Sequence, residues 1–189
     1  MKTLEVVIAK QTLNLLKTNE WDSISIDRIC KKLKLSKKKI SSQIKNKNDL
    51  IKNINKYFDD FMIVNTKLIE KSTPRDMIFE IFMLRFDLLN RYRSSIIKIF
   101  KVFKKNPKYF IIFLPSLISS IEMMAKLSNI QTKGLAGIIK LKGLIVIFFS
   151  TFLAWIKDDS HSLDKTMTVL DKYLTQAENI LKLLKRQNG

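Results

Sequence analysis

The run Leu35–Leu50, LSKKKISSQIKNKNDL, concentrates the side chains of this chain best suited to recognition chemistry. Ser36 can accept a hydrogen bond from a free N–H at a helix start, while Lys37, Lys38 and Lys39 crowd that same end, where the helix dipole disfavours positive charge. An external anion offsets that conflict. A DNA phosphate is the natural one, contacted by these lysines and by the Ser36 backbone. Ser41, Ser42 and Gln43 can then offer hydrogen-bonding groups to base edges in a major groove, with Ile40 and Ile44 packed inward and Lys45 and Lys47 on flanking phosphates. The run has no arginine, and so lacks the best bidentate reader of guanine. The competing reading is a solvated lysine-rich face in a lysine-rich protein.

Other reactive side chains are sparse. His161, the sole histidine, sits in the polar stretch DDSHS without a second histidine or a cysteine nearby. Asp158, Asp159 and Asp164 could attract a cation, but acids in a connection more often cap helices. Cys30, the sole cysteine, excludes an internal disulfide and falls in an apolar helical pattern, as a small buried hydrophobe does. No glycine-rich phosphate loop or nucleophilic triad spacing is visible. The expectation is therefore a non-enzymatic protein with no catalytic residue, no metal and no cofactor.

The charge agrees with an acidic partner. The 189 residues hold 35 Lys plus Arg against 17 Asp plus Glu, a net +18. Residues 1–56 alone hold 14 Lys plus Arg and 5 Asp plus Glu, so less than a third of the chain carries half of the excess. That asymmetry puts the positive field on the segment that contains the lysine run. Glu5 and Lys10 interrupt the N-terminal apolar pattern before a secretory h-region can form. The apolar run Gly143–Ile156 has fourteen residues, too few to span a bilayer. Cytoplasmic placement without stable membrane insertion is expected.

Four glycines and three prolines leave few sharp turns, and the long stretches of Leu, Ile, Lys, Met and Glu favour an all-α fold. Apolar spacing predicts a helix over Leu4–Lys17, a second capped by Ser25 with Ile26, Ile29, Cys30 and Leu33 inward, and a third, Ser36-capped, over Lys37–Ile44. Two short helices joined through Lys34 and Leu35 form a helix-turn-helix. Asn46 and Asp49 read as a capping pair opening the next helix through Phe58. Beyond it, helices are expected at about Phe58–Lys71, Pro74–Asn90, Ser94–Lys104, Pro107–Leu127, Gly134–Ile156 and Leu163–Leu184, with Pro115 kinking or dividing its helix. The domain division is 1–56 for the helix-turn-helix head and 57–189 for a helical body.

These residues carry a family likeness. From Leu4 to Leu50 the chain resembles the TetR-type regulators, with Trp21, Ser25, Ile26, Ile29, Cys30, Leu33, Leu35, Ser36, Ile40, Lys47 and Leu50 standing at that family's core, cap and junction positions. Lys38, Ser41 and Ile44 depart from it, standing where a small residue, a phosphate-contacting tyrosine and an aromatic are usual. The segments Arg75–Arg93, Lys105–Pro107 and Trp155–Glu178 look like a bacterial TetR subgroup and like the related lipid-binding proteins that assist ubiquinone biosynthesis.

The resemblance implies a three-helix DNA-binding head and a homodimer whose heads read adjacent major grooves of double-stranded DNA. It also implies a body that binds an unidentified small apolar ligand. Phe86, Phe113 and Met123 are the pocket residues it suggests. The last two long helices are the expected dimer surface, with Leu144, Ile147, Phe148, Thr151 and Trp155 at the interface, although so apolar a run could instead be internal. The function implied is a ligand-responsive transcriptional regulator, acting as a repressor. The alternative is a lipid- or isoprenoid-binding protein assisting ubiquinone biosynthesis with a degenerate head.

Overall fold

A computed structural model describes the backbone of residues 3–187 and the side chains of residues 3–183. Its helices are α1 (Leu4–Thr18), α2 (Ile26–Leu33), α3 (Lys37–Ser41), α4 (Lys47–Asn65), α5 (Pro74–Arg91), α6 (Arg93–Lys105), α7 (Pro107–Leu127), α8 (Gly134–Ile156) and α9 (Asp164–Gln187). Short 3-10 turns at Trp21–Ser23 and Thr66–Leu68 complete the order, and no strand occurs among the described residues. The all-α expectation holds. The helix expected over Phe58–Lys71 is not separate: α4 continues without a break to Asn65. Pro115 lies inside α7 without dividing it.

The chain forms two compact units, one of residues 1–61 with 88–117, the other of 62–87 with 118–189. The first extends beyond the expected head of residues 1–56 because α6 packs against α1. The Ser95 hydroxyl, fully buried, donates to the Leu13 carbonyl at 2.8 Å. Lys98 Nζ donates to the carbonyls of Lys17 (3.4 Å) and Asn19 (3.2 Å), neutralising the negative end of α1, and stands 3.4 Å from the Glu20 carboxylate. Asn55, buried on α4, donates to both the backbone and side-chain oxygens of Ser116, next to Pro115.

In the second unit, α8 packs against α9. Phe148 on α8 stacks on Phe86 and meets Phe82 edge-on, each at 5.3 Å between ring centroids. Gly137, near the start of α8, is demanded by close approach: a Cβ there would lie 2.4 Å from the Thr132 carbonyl carbon. Both α7 and α8 are long and apolar enough, by length and composition alone, to cross a membrane. The apolar run of fourteen residues thus belongs to a helix of 23.

The polar stretch before α9 is built around Asp158, of which 1% is exposed. Its Oδ2 accepts from the Thr166 N–H and hydroxyl, both at 2.8 Å, and its Oδ1 from the Ser160 N–H (3.1 Å) and hydroxyl (2.5 Å). Ser160 Oγ in turn accepts from the Asp164 N–H at 2.9 Å, so two free donors of the first turn of α9 are satisfied. Burial alone would raise the carboxyl, but the hydrogen bonds from Ser160 and Thr166 outweigh it and hold the pKa at about 2. Asp158 is thus a structural acceptor, and no cluster of three metal-ligating side chains occurs among the described residues.

A folded-state pKa below the ordinary value stabilises the protein above about pH 5 and ceases to do so as pH falls through 4 toward 2. We expect Asp158→Asn to lower the unfolding free energy at pH 7 by about 2 kcal/mol. In urea titrations the gap between wild type and variant should shrink as pH falls from 5 to 2. A gap independent of pH would remove the charge of Asp158 from the explanation.

Candidate nucleic-acid interface

The helix-turn-helix lies wholly within the first unit. The Ser25 hydroxyl accepts from the Arg28 N–H at 3.1 Å and starts α2, which ends on Lys34 in the left-handed region at φ 53°. There the Leu35 N–H bonds back to the Cys30 carbonyl at 3.1 Å, closing a Schellman-type cap without the usual glycine. Cys30 is buried and free, as its apolar spacing predicts. Ser36 Oγ accepts from the Lys39 N–H at 3.3 Å and starts α3.

α3 has five residues, Lys37–Ser41, rather than the eight expected through Ile44. Ile40 is fully buried and Ile44 is 2% exposed, so both point inward as their spacing requires. The chain turns at Ser42 and Gln43, outside the helix proper. Asn46 and Asp49 then form a reciprocal capping box. Asn46 Oδ1 accepts from the Asp49 N–H (3.2 Å), while Asp49 Oδ2 accepts from the N–H groups of Asn46 (3.1 Å) and Lys45 (3.0 Å).

The opposite side of this segment is polar and open. Ser36, Lys37, Lys38, Lys39, Ser41, Ser42, Gln43 and Lys45 are all exposed. The Ser41 hydroxyl donates to the Lys38 carbonyl (3.2 Å) and Ser42 to the Lys39 carbonyl (2.9 Å), which leaves the lone pairs of both oxygens outward. The lysines are not equivalent. Lys37 pairs with Asp27 of α2 at 2.9 Å, a contact that raises its pKa through the hydrogen bond and the charge of Asp27.

Lys47 is only partly exposed. It lies 4.9 Å from the centroid of the Trp21 ring and donates to the Asp22 carbonyl at 3.3 Å. Burial lowers its pKa, against the charge of Asp22. Asp27 and Trp21 therefore govern two of the expected contact lysines through partners that local spacing does not announce. Lys38, Lys39 and Lys45 form no ion pair within the chain among the described residues.

The residues suggested for a ligand pocket fall in both units. Phe86, fully buried, stacks on Phe148 in the second unit, and Met123 belongs to that same unit. Phe113 stacks on Phe103 at 5.4 Å in the first unit. The residues suggested for a dimer surface lie together on one side of α8. Leu144, Ile147, Phe148, Thr151 and Trp155 are each at most 6% exposed within the chain itself and form the inner face of α8. Thr151 meets its polar requirement there by donating to the Ile147 carbonyl at 2.8 Å.

No protein-family model matches the sequence, and no curated protein matches it either. Among solved structures, the chain is similar to the crystal structure of the TetR transcriptional regulator from Nitrosomonas europaea ATCC 19718. The TM-score is 0.75 and the identity 17%, with 93% of this chain and 98% of that one covered. At that identity the likeness is one of fold, over nearly the whole length of both chains. The chain therefore has the all-helical architecture of a TetR-type regulator.

Proposed function

We propose that the protein is a homodimeric DNA-binding transcriptional regulator, acting as a repressor, whose α3 segment enters the major groove. The observation that carries this reading is the two-sidedness of Ser36–Lys45. Its apolar side chains, Ile40 and Ile44, are spent on the head's core, while every other residue of the segment is polar or cationic and exposed. Lys38, Lys39 and Lys45 would contact phosphates, and Ser41, Ser42 and Gln43 would reach base edges. Lys37 and Lys47 would join them after leaving Asp27 and the Trp21 ring. A small apolar ligand held by the body would regulate DNA affinity by favouring one spacing of the two heads.

Dimerisation sums two weak half-site contacts. With the inner face of α8 occupied, the surface for a second copy is its outer face. Leu135, Ile139, Val146 and Leu153 lie there at helical spacing, between 53% and 85% exposed. On α9 of the same unit, Tyr173, Ile180 and Leu183 repeat the pattern at 37–59% exposure. So much exposed apolar surface on two packed helices favours cover by an equivalent face.

The reading is tested with DNA from upstream of the protein's own coding sequence, in competition with scrambled DNA across a salt series. A salt-resistant preference of at least about a hundredfold is expected. Equal and steeply salt-sensitive binding to both would reduce the protein to a merely basic one. Replacing Lys37, Lys38 and Lys39 together with Gln should lower the slope of log K against log salt by about 2–3 per bound protomer. Unchanged affinity in that variant would take α3 out of the contact. For the dimer, Val146→Glu with Leu153→Glu should raise the dissociation constant in sedimentation velocity by about thirtyfold or more, with circular dichroism establishing that the variant is folded. A double variant that stays dimeric would move the interface off α8.

A further inference from the structure

The first unit holds 21 Lys plus Arg and 7 Asp plus Glu, a net +14 of the chain's +18. Its helix-turn-helix segment supplies only half of that. The other half lies in residues 88–117, where Arg91, Arg93, Lys98, Lys101, Lys104, Lys105 and Lys108 occur without one Asp or Glu. Lys98 is consumed at the end of α1. Lys101, Lys104, Lys105 and Lys108 are exposed, and none forms an ion pair among the described residues. A solvated lysine face ordinarily carries interspersed acids that cancel its field. This one has none for thirty residues.

The four lysines also occupy a fixed corner. Phe103, at the end of α6, meets Phe110 (5.6 Å) and Phe113 (5.4 Å) of α7, pinning the two helices across Asn106. The Lys108 N–H donates to Asn106 Oδ1 at 3.2 Å, and Lys104 Nζ lies 5.8 Å from the centroid of the Phe100 ring. The corner is tied to the head as well. Ser95 lies beside Leu13 and Lys98 beside Lys17 and Asn19, so α6 advances along α1 in the same chain direction. α6 also contacts the Trp21–Ser23 turn that leads into α2, and Lys101, Lys104 and Lys105 follow Lys98 toward the end of α6. At 1.5 Å per residue Lys105 stands about 10 Å past Lys98.

We propose that Lys101, Lys104, Lys105 and Lys108 form a second DNA-backbone contact, gripping phosphates that flank the half-site read by α3. The inference rests on the DNA-binding reading and deepens it, since it gives the protein a footprint wider than its helix-turn-helix. Lysine without arginine or acid suits it to phosphate without sequence preference.

The experiment uses the full chain and the upstream duplex it binds most tightly, extended by about one helical turn at each end. Two versions of equal length and sequence are compared, one with ordinary flanking phosphates and one with uncharged methylphosphonate flanks. Wild type should bind the ordinary duplex about tenfold or more tightly, with a salt slope steeper by about 2–4 per protomer. The variant with Lys101, Lys104, Lys105 and Lys108 replaced by Gln should bind both alike, at the affinity of wild type for the neutral-flank duplex. Circular dichroism and thermal unfolding establish that it is folded.

If wild type binds the two duplexes equally, or if the variant keeps the preference for charged flanks, the second contact is wrong while the α3 reading stands. If wild type binds no upstream duplex, both fall. Should the variant lose only binding to phosphatidylserine-containing vesicles, with DNA binding unchanged, the surface belongs to a membrane and the proposal is overturned.

Discussion

A helix of five residues has no stability of its own, since nucleation costs more than so few hydrogen bonds return. α3 exists because Ile40 and Ile44 are buried beneath it and because its two ends are tied, at Ser36 on one side and by the Asn46–Asp49 box on the other. Everything proposed for the head depends on that burial. Two inward side chains anchor the segment to the core, and positions 37, 38, 41 and 42 are left exposed around them. The fold requires of them only that they be soluble. That Lys, Lys, Ser and Ser stand there is a property of the surface.

The same geometry creates an electrostatic problem that the chain solves only in part. Three consecutive lysines at a helix start oppose the dipole, and one of them is answered by Asp27. Both partners are more than 60% exposed, so solvent screens the pair and it yields readily to a phosphate. Lys47 is held more firmly, over the face of Trp21 and against the Asp22 carbonyl. Its lowered pKa reports burial rather than a partner charge. The head therefore presents a graded set of cations: some fully solvated, one weakly tethered, one half-withdrawn.

What the sequence made legible follows the range of the interaction. The caps at Ser25, Ser36 and Asn46–Asp49, the inward turn of Ile40 and Ile44, the burial of Cys30 and the limits of α7 and α8 all depend on neighbours within a few residues, and periodicity finds them. The end of α3 at Ser41 was not legible, because the apolar spacing runs on smoothly to Ile44 while the backbone has already turned. Nor were the contacts of Ser95 with Leu13 or of Lys98 with Asn19, which join positions some eighty residues apart. The charge excess of residues 1–56 suggests a division after residue 56, and the sequence does not announce that α6, rich in lysine again, docks on α1.

α8 shows why a helix can be recognised while the role of each of its faces stays open in the sequence. From Leu144 to Ile156 its only polar residues are Ser150 and Thr151, so no polar stripe marks an outer face. Thr151 would ordinarily suggest one. Its hydroxyl instead bonds back to the Ile147 carbonyl and enters the core at no polar cost. What chooses the inner face lies elsewhere: the rings of Phe82 and Phe86 on α5, which take up Phe148, and the Thr132 backbone, which admits only Gly137. A helix apolar all round states that two of its faces need cover, and the tertiary partners alone decide which face the chain covers for itself. Leu135, Ile139, Val146 and Leu153 are the face it does not.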